Sequence, residues 1–306
     1  MSERVKDPGV GAFSKEKAKR FINQDGTFNV KHLNKKKTIN EAYIYLTSIS
    51  WPLFLVLLFV GFVALNIIFA LGYLLIGVTT IGIQSESVIN DFFRAFFFSV
   101  QTITSVGYGR FSPEGIAAGL ISSFEALVGL VSFAFITGLL YGRFSKPRSN
   151  IQFTKSVLLC KHNGGDALMF RLLSRRKSLI VLPKIKASLS LSIADEKGGY
   201  KNEFFELKLE RDTITYLPTT WTLVHQIDHD SPLIGYSREQ IKALQAELLL
   251  LFSYHDDSFN QELHTVHSYL FKNIKVGYKF KKAFHFNDEG KLVLNHALID
   301  EIEPES

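Results

Sequence analysis

Two long apolar runs constrain this chain more than any other feature. No charge occurs from Ala42 to Ser85, and within that interval Trp51–Val78 is 28 mostly apolar residues. A second run, Gly115–Gly142, carries one charge, Glu125. A helix crosses a bilayer with about 20 apolar residues. Buried helices of soluble domains seldom reach these lengths, so both runs are expected to span a membrane. Fifty largely polar residues precede the first run, and nothing among them resembles a cleavage site, which argues against a signal peptide.

Charge is distributed unevenly around these spans. Residues 1–50 hold ten Lys/Arg against five Asp/Glu, and residues 51–150 hold five against four. The whole chain has 35 and 29, which leaves 20 of each sign in 151–306, so the C-terminal half is neutral. The net charge of +6 therefore belongs beside the membrane segment, where anionic lipid rather than nucleic acid is the natural partner. Lys35, Lys36 and Lys37 precede the first span, and Arg143, Lys146 and Arg148 follow the second. The stretch 79–114 between them has two positive and three negative residues. The positive-inside rule places both termini in the cytoplasm of a two-span protein of the cell membrane. The lone Cys160 excludes an intrachain disulfide and fits a reducing compartment.

Between the spans, Ala95–Gly109 is uncharged for 15 residues, too short to cross. Its expected form is a re-entrant element, a helix in and a loop back, over about 91–109. Irregular backbone at membrane depth is tolerated where it lines a wet path. This element ends in Ser105-Val106-Gly107-Tyr108-Gly109. A potassium filter replaces the ion's hydration shell with backbone carbonyl oxygens aimed at one axis. An ordinary strand alternates carbonyl direction, so some residues must take dihedrals that a Cβ disfavours, and Gly107 and Gly109 supply that freedom. The Ser105 hydroxyl can add an oxygen at the inner end, while Val106 and Tyr108 would point away and hold the loop open. A ring of oxygens needs four such loops, and each chain has one. A homotetramer with a four-fold axis is expected.

The stretch 96–115, FFFSVQTITSVGYGRFSPEG, resembles the pore region of the inward-rectifier potassium channel family. Ser50-Trp51-Pro52, His225–Gly235 (HQIDHDSPLIG) and Asn23–Val30 (NQDGTFNV) resemble further marks of that family, and the likeness runs from about residue 21 to 300. The absence of a cysteine pair outside the membrane, and Gln101 where animal members have glutamate, resemble the bacterial branch. Ser105 departs from the usual threonine but keeps its hydroxyl. A voltage sensor would need a span with Lys or Arg at every third residue, and a dinucleotide-gated channel a G-x-G-x-x-G after a strand; the chain has neither.

Residues 39–49 alternate polar and apolar at helical spacing just before Pro52, which fits an interfacial amphipathic helix. The resemblance makes it the slide helix that couples the cytoplasmic part to the pore. Phe133, Thr137 and Tyr141 share one face of the second span by spacing. The resemblance places Phe133 and Tyr141 at the pore constrictions, as a hydrophobic gate. It also makes Arg143, Lys146 and Arg148 phosphoinositide contacts, joined by Lys35–Lys37 through charge alone. Bacterial members are typically inhibited by phosphatidylinositol bisphosphate.

Beyond the spans the pattern turns to strands: Ser188–Ala194, Phe204–Leu209, Thr213–Leu217, Trp221–Ile227, Ala246–Tyr254 and Ile274–Phe286. Short strands with turn punctuation indicate a sandwich, and the resemblance implies an immunoglobulin-like one. The expected organisation is a cytoplasmic N-terminus over 1–50, a two-helix pore domain over 51–148 (outer helix 52–78, inner helix 115–142) and the β-sandwich over 149–306. His225, Asp228, His229, Asp230, His255, His264 and His267 invite a metal reading, and the spacing of His225 and His229 suits a helix, but their neighbours read as strand and turn, and the resemblance makes the 225–235 string a structural loop. No nucleophile elbow, phosphate loop or zincin motif occurs, so neither catalysis nor an organic cofactor is expected, with K+ at the filter the one metal ion. The reading from another class is a membrane anchor whose sandwich binds a partner and whose pore does not conduct.

Overall fold

The structure is a computed structural model. It describes residues 4–5, 7, 9, 11, 13–14, 20–23, 26–34, 38–145, 149–176, 180–194, 199–257 and 259–305. The chain divides into two compact units, residues 34–146 and residues 1–33 with 147–306.

The first unit is helical. Helix α1 (Ile39–Ser48) is followed by Ile49 and Ser50 in extended conformation, and α2 (Trp51–Ile76) then starts with Pro52 in its first turn. Proline fits there because the first helical N–H groups lack partners in any case. A short helix α3 (Val88–Ile103) and the long α4 (Gly115–Phe144) complete the unit. The Ser87 hydroxyl caps α3 by accepting from the Asn90 amide. The two long helices, of 26 and 30 residues, are apolar enough to span a membrane. Most of their large apolar side chains face outward, among them Leu75, Ile116 and Leu130. A smaller core of Phe69, Tyr73, Ile81, Ala95, Phe98 and Ala118 joins α2, α3 and α4.

The second unit is a β-sandwich. Its strands run β1 (Arg4–Val5), β2 (Phe13–Ser14), β3 (Ile151–Phe153), β4 (Leu158–His162), β5 (Gly165–Ser174), β6 (Ile180–Ala194), β7 (Tyr200–Leu207) and β8 (Trp221–Gln226). After a short helix α5 (Arg238–Ala243) come β9 (Ala246–Asp256), β10 (Gln261–Leu270), β11 (Lys275–Val276), β12 (Tyr278–Phe280), β13 (Phe284–Phe286), β14 (Leu292–Leu294) and β15 (Ile302–Pro304). One sheet has the order β1-β7-β6-β9-β10 with β2 also on β7; the other has β11-β4-β5-β3 with β8 also on β5. Alternate residues of both sheets meet in one core: Ala187 and Leu189 of β6 and Leu248, Leu250 and Phe252 of β9, with Leu168, Phe170 and Leu172 of β5. Alternation puts Ser188, Ser190 and Ser192 of β6 on the opposite face.

Two strand expectations change. Thr213–Leu217 makes only isolated bridges to Val181 and Lys184, because β6 shifts register between those residues. Ile274–Phe286 is not one strand but three short ones, β11 to β13, interrupted first by Gly277 at φ +79°.

Residues 20–23 and 26–29 lie on the outer face of the larger sheet. Both carboxylate oxygens of Glu247 accept backbone hydrogens, from Phe21 at 2.7 Å and Ile22 at 3.3 Å. Arg20 donates to the Ser268 carbonyl at 2.7 Å, and Ile22 joins Phe204 and Leu249 in a satellite cluster. The N-terminal segment therefore groups with the sandwich, while α1 belongs to the helical unit.

Candidate ion pathway

The segment expected to form a filter, Ser105–Gly109, follows α3 directly. Thr104 caps the helix, with its amide donating to Val100 O at 3.1 Å. The amides of Val106 and Gly107 then turn back to a single acceptor, Gln101 O, at 3.0 and 3.3 Å. Ser105, Gly107 and Gly109 have φ of +58°, +48° and +79°. Every second residue is thus in the left-handed region, the alternation that breaks a strand's habit of pointing successive carbonyls to opposite sides. The glycines take it without strain; Ser105 takes it despite its Cβ. The sequence pointed to the glycines and missed the dihedral at Ser105. Val106 and Tyr108 are exposed, so packing that would hold the loop open is not supplied within one chain.

Beside this segment the helices α3 and α4 approach closely. A Cβ on Gly129 of α4 would run into the carbonyl oxygen of Ile103, the last residue of α3. Glu125, fully buried, accepts a hydrogen bond from the Tyr73 hydroxyl at 2.6 Å and contacts Ser99 of α3.

Phe133, Thr137 and Tyr141 lie along one exposed face of α4, spaced one turn apart. Thr137 spends its hydroxyl on Phe133 O at 2.8 Å.

Of the six basic residues singled out for lipid, Lys35, Lys36, Lys37, Lys146 and Arg148 lie outside the described residues. Arg143 is described, and it is buried. Its guanidinium donates to Leu46 O and to Ile49 O, the latter at 2.8 Å, and so satisfies carbonyls at the C-terminal end of α1. It also lies over the rings of Trp51 and Phe54, at 4.5 and 4.3 Å. Beside it, Gly142 leaves room for the Tyr43 hydroxyl, which a Cβ would strike. Arg143 is therefore committed within the chain, a partnership that its sequence position does not reveal.

Comparison with known proteins fits this geometry. Residues 151–304 match the inward rectifier potassium channel C-terminal domain, and residues 54–146 match the ion channel family. The inward rectifier potassium channel Kirbac3.1 of Paramagnetospirillum magnetotacticum is 32% identical over 285 residues, covering 92% of this chain and 95% of the relative. The chain belongs to the inward-rectifier potassium channel family. The ATP-sensitive inward rectifier potassium channel 12 of Gallus gallus is 24% identical, covering 94% of this chain and 75% of that one. The inward rectifier potassium channel 18 of Homo sapiens is 23% identical, covering 90% and 69%. As a member of this ion-channel family with two membrane-length helices, the inward rectifier is a membrane protein, with its helical unit the pore-forming part and its sandwich the family's C-terminal domain.

Proposed function

We propose that four copies of this chain surround one axis and pass K+ down its gradient through the loop Ser105–Gly109. The observation that carries this reading is the left-handed backbone at Ser105, Gly107 and Gly109 immediately after a short helix. With both flanking helices able to cross a bilayer, that loop has no other evident use. Exposed Val106 and Tyr108 support the four-fold assembly, because neighbouring copies would supply the packing a single loop lacks. Both termini face the cytoplasm, on the basic flanks of the spans.

In this reading Phe133 and Tyr141 close the pore as rings of aromatic side chains that exclude water. Anionic lipid acts through Lys35, Lys36, Lys37, Lys146 and Arg148, each contributing about 1 kcal/mol near the headgroups. Arg143, buried under Trp51 and Phe54, serves instead to hold α1 to the end of α4. Binding of anionic lipid lowers open probability, and no organic cofactor takes part.

Uptake of rubidium into liposomes tests the proposal. Rubidium and potassium should enter, sodium should not, and barium should block. A sodium permeability near that of potassium overturns the filter assignment. No flux under any lipid composition would instead support a membrane anchor whose sandwich binds a partner.

A further inference from the structure

The one carboxyl of α4 within its apolar run sits in a chain of hydrogen bonds that joins all three helices of the pore unit. Glu125 of α4, Ser99 of α3, and Asn66 and Tyr73 of α2 are each fully buried. Tyr73 donates its phenolic hydrogen to Glu125 Oε2 at 2.6 Å. Ser99 Oγ lies within hydrogen-bond reach of two oxygens, Asn66 Oδ1 at 2.9 Å and Glu125 Oε1. Asn66 is oriented by its own amide nitrogen, which donates to Phe62 O at 2.7 Å, so its oxygen is the atom that faces Ser99.

The arrangement constrains where hydrogens sit. A serine hydroxyl carries one hydrogen. If Glu125 offered acceptors only, Ser99 could serve either Asn66 or Glu125, and the other oxygen would be left unmatched in a dry interior. A carboxyl hydrogen on Glu125 Oε1 closes every link in one direction. Tyr73 donates to Glu125, Glu125 to Ser99, Ser99 to Asn66, and Asn66 to the Phe62 carbonyl. The partners of this carboxyl are a phenol and a hydroxyl, neither of which brings a compensating charge.

We propose that Glu125 serves as a neutral carboxyl, one donor and one acceptor, and that with Tyr73, Ser99 and Asn66 it positions the helix carrying the filter. These are positioning residues: none touches the permeant ion. Ser99 stands six residues before Ser105 on the same continuous segment, and the edge-on contact of Phe98 with Tyr73, centroids 5.1 Å apart, braces the same turn. A turn of α3 held at this point fixes where Gln101 presents the carbonyl that receives the Val106 and Gly107 amides. The positioning role rests on the channel reading; the hydrogen-bond assignment does not.

The test uses the purified wild type with Glu125→Gln, Glu125→Ala and Ser99→Ala. Infrared absorption, with Glu125→Gln as the difference reference, should show the carbonyl band of a carboxylic acid in the wild type. Absence of that band, with an ionised-carboxylate band in its place, overturns the neutral assignment whatever the flux. Glutamine keeps a carbonyl to accept from Tyr73 and an N–H to donate to Ser99, with one further amide hydrogen, so Glu125→Gln should keep rubidium uptake within about twofold of wild type and keep sodium excluded. Glu125→Ala and Ser99→Ala each leave a buried partner unmatched, and barium block should weaken by about tenfold, the equivalent of one unmade buried hydrogen bond. Unchanged barium affinity in both, in channels that elute as the wild-type assembly, overturns the positioning role. Should barium block weaken as fully in Glu125→Gln as in Glu125→Ala, a charge is required and the proposal is wrong. Should a variant fail to assemble, the infrared difference against Ser99→Ala, whose carboxyl loses one partner and should shift its band, decides the hydrogen-bond assignment.

Discussion

The guanidinium of Arg143 lies 4.5 Å from the ring centroid of Trp51, stacked at the junction where α1 gives way to α2. The same group donates to Leu46 and Ile49 carbonyls at the end of α1. One side chain on the last turn of α4 therefore holds both α1 and the start of α2. Its Nε is buried with no hydrogen-bond partner among the described residues, so the site stays together through ring contacts and two donated bonds rather than full satisfaction.

Arg143→Gln should lower thermal stability measurably, since a lost charged hydrogen bond and two lost ring contacts together cost roughly 2–4 kcal/mol. Arg143→Lys should recover only part, because an ammonium cannot fork to two carbonyls while lying flat on a ring. In liposomes, Arg143→Gln should still respond to anionic lipid, whereas neutralising Lys35, Lys36 and Lys37 together should blunt the response. Loss of lipid sensitivity in Arg143→Gln with unchanged melting would return Arg143 to the lipid surface.

Gly129 meets the carbonyl of Ile103 so closely that no Cβ fits. The fault cannot be relieved by a rotamer change, because the obstacle is backbone. Gly129→Ala should cost about 1–3 kcal/mol as overpacking and push the end of α3 outward. The readout is a lower melting temperature together with weaker barium block. An alanine variant with wild-type melting and block would show that α3 and α4 do not meet there.

How much of this was legible in the sequence depends on the range of the interaction. The spans, the re-entrant element and α1 follow from length and period, which are local. The glycines of the filter announce themselves because only a left-handed backbone needs them at that spacing. The turn at Asn163 and Gly164, with φ of +46° and +85°, joins β4 to β5; Asn-Gly is the strongest short hairpin signal, yet the strands on either side of it were not among those expected. Contacts that join distant residues were not. Glu247 receives the amides of Phe21 and Ile22 across more than 220 positions, and nothing local to either end predicts it. Arg143 read as a lipid contact through the family resemblance, and only the fold shows which carbonyls it faces. Glu125 stood out in the sequence only as the one charge of the second apolar run, and its partners Tyr73, Ser99 and Asn66 emerge only when three helices are placed together.

In the sandwich, His267 lies flat on Phe153, with ring centroids 4.7 Å apart and planes 2° from parallel. Burial, and secondly the charge of Arg20, push its pKa down from 6.5 to about 4. His225, whose ring nitrogens contact Lys208 O and Ser231 Oγ, is lowered too, chiefly by burial. A lowered histidine favours the neutral form in the folded state. The unfolded chain takes up the proton first as pH falls, so this contribution is intact above about pH 6.5 and is lost progressively toward pH 4. His267→Phe should keep the stacking and remove about 1–2 kcal/mol of that acid loss, allowing for partial exposure of the ring. Melting temperatures from pH 7.5 to 4.5 should fall less steeply for the variant. Parallel curves would show that His267 protonates freely in the folded domain.

Rectification is the last expectation, and it turns on which charges line the ion's route. Strong rectifiers collect intracellular magnesium and polyamines on acidic residues of the pore, and block becomes voltage dependent because the trapped cation moves through the membrane field. We propose, from short matches to the family, that its inner-helix acidic position reads as Phe133 here and that the two acidic positions of its cytoplasmic pore read as Leu182 and Lys281. Phe133 and Leu182 are exposed on the chain, and so is Lys281, whose backbone carbonyl is taken by Arg171 at 2.6 Å. Leu182 sits at φ +49° in the irregular stretch of β6, a position that a small polar residue would occupy with less strain. Glu125 does not substitute for a missing acidic ring, because it is fully buried and engaged by Tyr73 rather than turned to the surface that bears Phe133. Four copies of Lys281 would repel a polycation. Spermine should therefore block weakly in excised patches, and Phe133→Asp should strengthen block by at least about tenfold as four carboxylates meet one polyamine in a low-dielectric pore. Steep micromolar block of the unmodified channel would mean that another acidic ring lines the pathway.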